Sequence, residues 1–184
     1  MARVNSTMVA LGTAAPDFHL PDTVSGKIIS LNNVKGPVAT VVMFICNHCP
    51  FVVHVNTELV KLANDYKNKG IGFVAISAND VVTHPADAPD KMKETALRLQ
   101  YPFPYCYDET QETAKAYNAA CTPDFFIYDK NGQLVYRGQL DDSRPGNEIP
   151  VTGKDIRHAL DCLLNNKPVP EFQRSGIGCN IKWK

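Results

Sequence analysis

Two cysteines separated by two residues, Cys46-Asn47-His48-Cys49, stand where an apolar run gives way to a helical pattern. That spacing brings two sulfurs within reach of a disulfide while a helix begins between them. The unpaired N–H groups of a first helical turn, together with the helix dipole, favour a thiolate, so Cys46 is the expected nucleophile. A fall in its pKa from about 8.5 to about 6.5 raises the thiolate fraction at pH 7 from about 3% to about 75%. His48 places an imidazolium beside it. An acidic thiol also leaves a mixed disulfide more readily, so this pair is expected to be more oxidising than a dithiol lacking the histidine. Cys49 is the expected resolving thiol. Pro50 is tolerated there because first-turn amides have no intrahelical acceptor to lose.

The elements that must position this pair are legible on either side of it. Val38 to Ile45 is almost wholly apolar and β-branched, as a strand covered on both faces requires. Val52, Val55, Leu59, Leu62 and Tyr66 then follow helical spacing, Gly70 ends the helix, and Ile71 to Ile76 is a second buried strand. Strand, helix, strand implies a parallel pair with a right-handed crossover. Asp90 to Gln100 predicts another helix, and Phe103 to Tyr107 a short edge strand weakened by Pro104. Asp108, with Gln111 three residues on, predicts a capped helix through Tyr117. Asn131-Gly132 between Phe125–Tyr128 and Leu134–Arg137 is a hairpin signal, and Lys154 to Asn165 reads as a last helix. The expectation is one α/β domain over residues 1–184. Within it, 1–31 form an N-terminal extension bearing a β-hairpin near Gly26, and 168–184 an irregular C-terminal tail.

Further motifs carry a resemblance. Ala15-Pro16-Asp17-Phe18, Leu20-Pro21-Asp22, the Cys46 to Pro50 segment, Thr122-Pro123-Asp124-Phe125-Phe126, Asp141-Asp142-Ser143-Arg144-Pro145 and the ending Gly178-Cys179-Asn180-Ile181-Lys182-Trp183-Lys184 all stand out. Over nearly the whole chain they resemble the peroxiredoxin-like, thioredoxin-like branch of the alkyl hydroperoxide reductase/thiol-specific antioxidant (AhpC/TSA, redoxin) superfamily. The resemblance implies a thioredoxin fold, a three-layer α/β/α arrangement on a mixed central sheet, and a redox-active dithiol. It also implies that Pro123 is cis and lies against the dithiol, with Thr122 offering backbone groups to a substrate. Arg144 is a candidate to flank the same groove.

The chain departs from the family in two places. A peroxidatic cysteine follows a Pro by seven residues and a Thr or Ser by three. Ala39 and Met43 stand there before Cys46, and Val42 and Cys46 before Cys49. The buried acid of thioredoxins is replaced by Thr40. Thiol–disulfide exchange is therefore the leading expectation, with a thiol peroxidase (antioxidant) as one alternative. In that case Cys49, Cys121 or Cys179 would resolve the sulfenic acid.

Among the other cysteines, Cys121 and Cys179 are candidate additional redox thiols, weighed against a buried turn residue and a passive tail thiol. Cys106 and Cys162 read as core. A second alternative has the two thiolates and His48, His54 or Cys121 hold copper or zinc. The two-residue spacing argues against it, so no metal or cofactor is expected.

Composition narrows the field further. Lys plus Arg number 19 and Asp plus Glu 19, so no charge excess points to nucleic acid or an anionic membrane. No apolar run approaches the roughly 20 residues that cross a bilayer. Met1 to Ala15 lack the apolar stretch of a secretory signal, so a cytoplasmic protein is expected, with a removed leader left open. In that compartment the six cysteines should be thiols, and a tight pair reads as redox-active rather than as a staple. The expected partners are a protein or small-molecule thiol/disulfide substrate and a reducing partner. The oligomeric state, a homodimer among the options, stays open.

Overall fold

A computed structural model describes residues 3–184. In chain order the first elements are β1 (Arg3–Asn5), β2 (His19–Pro21), β3 (Ile28–Ser30), α1 (Leu31–Val34), β4 (Ala39–Phe44), α2 (Pro50–Tyr66) and β5 (Ile71–Ser77). There follow α3 (Pro89–Leu99), β6 (Tyr105–Tyr107), α4 (Glu112–Ala116), β7 (Cys121–Thr122), β8 (Asp124–Asp129), β9 (Leu134–Gly138), α5 (Lys154–Leu164) and β10 (Ile177–Asn180). Among the described residues no helix is long and apolar enough to cross a membrane.

The central sheet has the order β6-β5-β4-β8-β9. β4, β5 and β6 run parallel, while β8 and β9 run antiparallel to their neighbours. Every residue of β4 is buried because the sheet is covered twice, which is why its sequence shows no polar alternation. Val41 and Met43 pack on one side with Leu59 and Leu62 of α2, Met92 of α3 and Leu160 of α5. Val42 and Phe44 pack on the other with Ala114 of α4, Tyr117, Phe18 and Leu20 of β2. Three layers result, as expected. α2 ends in a tight turn at Gly70, whose φ of +81° suits glycine and returns the chain into β5.

Two expectations need correction. The helix after Asp108 starts only at Glu112, because Gln111 adopts a left-handed conformation. The Asp108 carboxylate instead accepts the Ala114 N–H at 2.8 Å. The tail from residue 168 is not irregular throughout: β10 is the middle strand of a second sheet, β1-β10-β7. Alternation within so short a strand left no periodic signal, and its pairing partners lie far away in sequence.

Candidate active site

β4 leads through Ile45 into Cys46, both buried, and α2 begins at Pro50 with Cys49 as its N-cap. The helix therefore starts after the dithiol and not between its cysteines. Pro50 is the cause: its fixed φ suits the first helical position, while its ring disfavours a helical conformation at the preceding residue. The Val52 and Val53 N–H groups of the first turn donate to the Cys49 carbonyl oxygen at 2.9 and 3.0 Å, which fixes Cys49 at the helix start.

Both sulfurs converge on one residue. Cys46 Sγ lies 3.3 Å from Thr122 Oγ1, and Cys49 Sγ lies 3.1 Å from the Thr122 carbonyl oxygen. All six cysteines are free thiols, and the two here lie beyond disulfide distance of each other. The neighbouring Cys46 pushes Cys49 down to about 4 against the opposing effect of burial, helped by Cys179 and Thr122. Cys46 is held well above its ordinary value by Cys49, by burial and by the charge of Asp87.

Asp87, which sequence reasoning missed, organises the rest. It is fully buried in the turn before α3. One carboxylate oxygen accepts the backbone N–H groups of Asn47 (2.8 Å) and His48 (3.2 Å). The other accepts Asn79 Nδ2 (2.8 Å) and His48 Nδ1 (2.6 Å). Burial pushes this carboxyl up, yet the hydrogen bonds from His48 and Asn79 outweigh it and the net shift is downward. An ionised acceptor requires the proton of His48 to sit on Nδ1. That nitrogen is 4.0 Å from Cys46 Sγ, and the ring stacks on His84 with centroids 5.1 Å apart. A signal for Asp87 existed: β4 and β5 are parallel neighbours, so the loops after both strands meet at one end of the sheet, where ligands and catalytic groups gather.

The other expected site residues separate cleanly. The Thr122–Pro123 bond is cis, and Pro123 lines a hollow of about 20 Å³ with Phe51, His54, Leu140 and Arg144. Arg144 spends its guanidinium on the carbonyls of Asp141 and Ser143 and on Gln139 Oε1, and so holds its own loop. His54 donates to or accepts from Ser143 Oγ at 2.7 Å, away from the sulfurs. Cys121 is adjacent to Thr122 in β7 and so points to the opposite face. Its thiol contacts the Pro123 carbonyl at 3.6 Å, and burial pushes it far up. Cys179 of β10 stands opposite Thr122 in the antiparallel register and is buried. As for a metal, Cys46, His48 and Asp87 offer three donor atoms within 4.8 Å of one another, but a cation there would displace the His48–Asp87 hydrogen bond.

Residues 11–137 match the AhpC/TSA family, and the chain belongs to it. Its fold is the thioredoxin fold. A thiol:disulfide interchange protein of the thioredoxin family from Chlorobium tepidum TLS aligns with a TM-score of 0.65 at 20% identity, over 84% of this chain and 98% of that one. The thiol-disulfide oxidoreductase ResA of Geobacillus kaustophilus (strain HTA426) is 28% identical over 130 residues, 70% of this chain and 68% of that protein. A crystal structure of a conserved protein from Geobacillus kaustophilus, described as uncharacterized, is 61% identical with a TM-score of 0.99, over 100% of this chain and 97% of that one.

Proposed function

We propose that this protein is a thiol–disulfide oxidoreductase working through Cys46 and Cys49. The observation that carries the reading is the convergence of both sulfurs on Thr122 beside a His48 fixed by Asp87. In the attacking form Cys49 holds its proton against the Thr122 carbonyl and Cys46 is the thiolate, which accepts the Thr122 hydroxyl and faces His48. That thiolate attacks one sulfur of a substrate disulfide. The S–S bond breaks, and the departing thiolate takes a proton from His48. Cys49 returns its proton to His48 and attacks Cys46 Sγ, which releases the second substrate sulfur as a thiolate that water protonates and leaves a Cys46–Cys49 disulfide. Two electrons pass from the dithiol to the substrate, and an external dithiol restores the pair. The same steps run in reverse oxidise a substrate.

The test is a trap with oxidised glutathione. In Cys49→Ser the glutathione adduct on Cys46 should persist and be released by dithiothreitol, whereas in the unaltered protein it should be resolved. Adduct formation on Cys49 alone, or an adduct equally persistent in the unaltered protein, contradicts the reading.

A second reading, binding of copper or zinc, is favoured by the three donors Cys46, His48 and Asp87. Stoichiometric metal in protein purified under reducing conditions, lost on Cys46→Ser, would favour it over exchange.

A further inference from the structure

The second sheet brings a third sulfur to the dithiol. β10 lies antiparallel to β7 with Cys179 directly opposite Thr122. Directly opposed residues of an antiparallel pair project to the same face, so the Cys179 thiol follows the Thr122 hydroxyl toward the active sulfurs. Cys179 is buried in the same cluster as Cys46 and Cys49, and the Thr122 it faces has its carbonyl oxygen 3.1 Å from Cys49 Sγ. Three buried cysteines thus gather on Thr122, with Cys46 at its hydroxyl, Cys49 at its carbonyl and Cys179 across the strand pair.

The tail is built to hold this position. A Cβ at Gly178 would come within 2.2 Å of the Thr122 carbonyl oxygen, so only glycine lets the strand press on the segment before Pro123. Ile181 is buried beyond it. Lys182 donates its N–H to Asn79 Oδ1 at 2.8 Å and accepts the Asp80 N–H at 2.8 Å, which ties the tail to the loop that carries Asp87. On its far side β10 is paired by β1, with Arg3 opposite Cys179.

We propose that Cys179 is a third redox thiol that exchanges with Cys49. This extends the dithiol reading above and rests on it. Once substrate has been reduced and Cys46 and Cys49 are joined, Cys179 attacks Cys49 Sγ. The Cys46–Cys49 bond breaks, a Cys49–Cys179 bond forms, and Cys46 leaves with its electron pair. The proton lost by Cys179 ends on Cys46, the sulfur with His48 beside it. No electrons enter or leave in this step; the oxidising equivalent moves inward to the tail and Cys46 is free again. An external dithiol later reduces the Cys49–Cys179 bond. Because β10 occupies the edge of β7, the third thiol reaches Cys49 without any partner chain pairing there.

The full chain is oxidised with a glutathione redox buffer, quenched in acid, alkylated and mapped by mass spectrometry. The expected result is both Cys46–Cys49 and Cys49–Cys179 linkages in the unaltered protein, with Cys49–Cys179 the major species in Cys46→Ser. Cys179→Ser and Gly178→Ala should each keep the Cys46–Cys49 linkage and abolish the second one, the glycine variant doing so with the thiol still present. The proposal is overturned if Cys46–Cys49 forms while Cys49 and Cys179 stay unlinked in Cys46→Ser, or if Gly178→Ala leaves the second linkage intact. Absence of the Cys46–Cys49 linkage from Cys179→Ser would be a different failure, that of the dithiol reading itself.

Discussion

Removing the His48 ring should do more harm than removing the ring and the Asp87 charge together. The cation of a protonated His48 lies 4.0 Å from Cys46 Sγ, and an Asp87 oxygen lies within 4.8 Å of it. At an effective dielectric of about 20, a unit charge at the first distance stabilises a Cys46 thiolate by about 4 kcal/mol, and one at the second opposes it by about 3.5 kcal/mol. The two nearly cancel. His48→Ala removes the first contribution and leaves the buried carboxylate uncompensated, which raises Cys46 by about 3 pH units and cuts its thiolate fraction about 1,000-fold. The more basic thiolate is a better nucleophile and recovers about 20-fold, so attack at neutral pH should slow by about 50-fold. Adding Asp87→Asn should return most of that loss. The assay is the pH dependence of iodoacetamide alkylation at Cys46, followed by peptide mass spectrometry in a Cys49→Ser background so that one sulfur titrates. A His48→Ala profile unmoved from its parent, or a double variant no faster than His48→Ala, would refute the charge balance argued here.

Three more outcomes follow from particular groups. Asp124 is fully buried, with one oxygen lacking a hydrogen-bond partner, and burial pushes it up to about 7. Its folded value lies above its unfolded one, so ionisation destabilises the fold as pH rises from about 4 to about 7, by about 4 kcal/mol in total; Asp124→Asn should flatten that slope in urea unfolding. Asp87→Ala leaves the Asn47, His48 and Asn79 donors unpaired in the interior and should cost about 3 to 5 kcal/mol in the same experiment. With Cys49 at about 4, the reduced protein should show the ultraviolet absorbance of one thiolate near pH 6, and Cys49→Ser should abolish it.

The sheet was legible because its strands are buried on both faces, and a run such as Val38 to Ile45 has few other ways to satisfy itself. α2 was legible for the opposite reason, its apolar residues repeating at helical spacing on one side only. The meeting of Cys46 and Cys49 with Thr122 beside a cis Pro123 was legible because those residue types in that order are specific. What escaped depended on contacts distant in sequence. Asp87 follows β5 in a polar loop whose composition marks nothing, and only the parallel pairing of β4 with β5 carries it to His48. The placement of Cys179 opposite Thr122 was hidden because the four residues of β10 are too few to show a period. The start of α2 was misplaced: Pro50 pushes it to the far side of Cys49, and with it the free amides of the first turn.

The central claim is that Cys46 and Cys49 are one reversible two-electron couple. Its most direct measurement is an equilibrium titration of Cys179→Ser in glutathione buffers of graded potential, with labelling of the remaining thiols at each point. The account predicts that Cys46 and Cys49 lose their labels together along a single two-electron curve, while Cys106 and Cys162 stay labelled throughout. Labels lost independently at the two positions, or retained at both across the whole range, would contradict it.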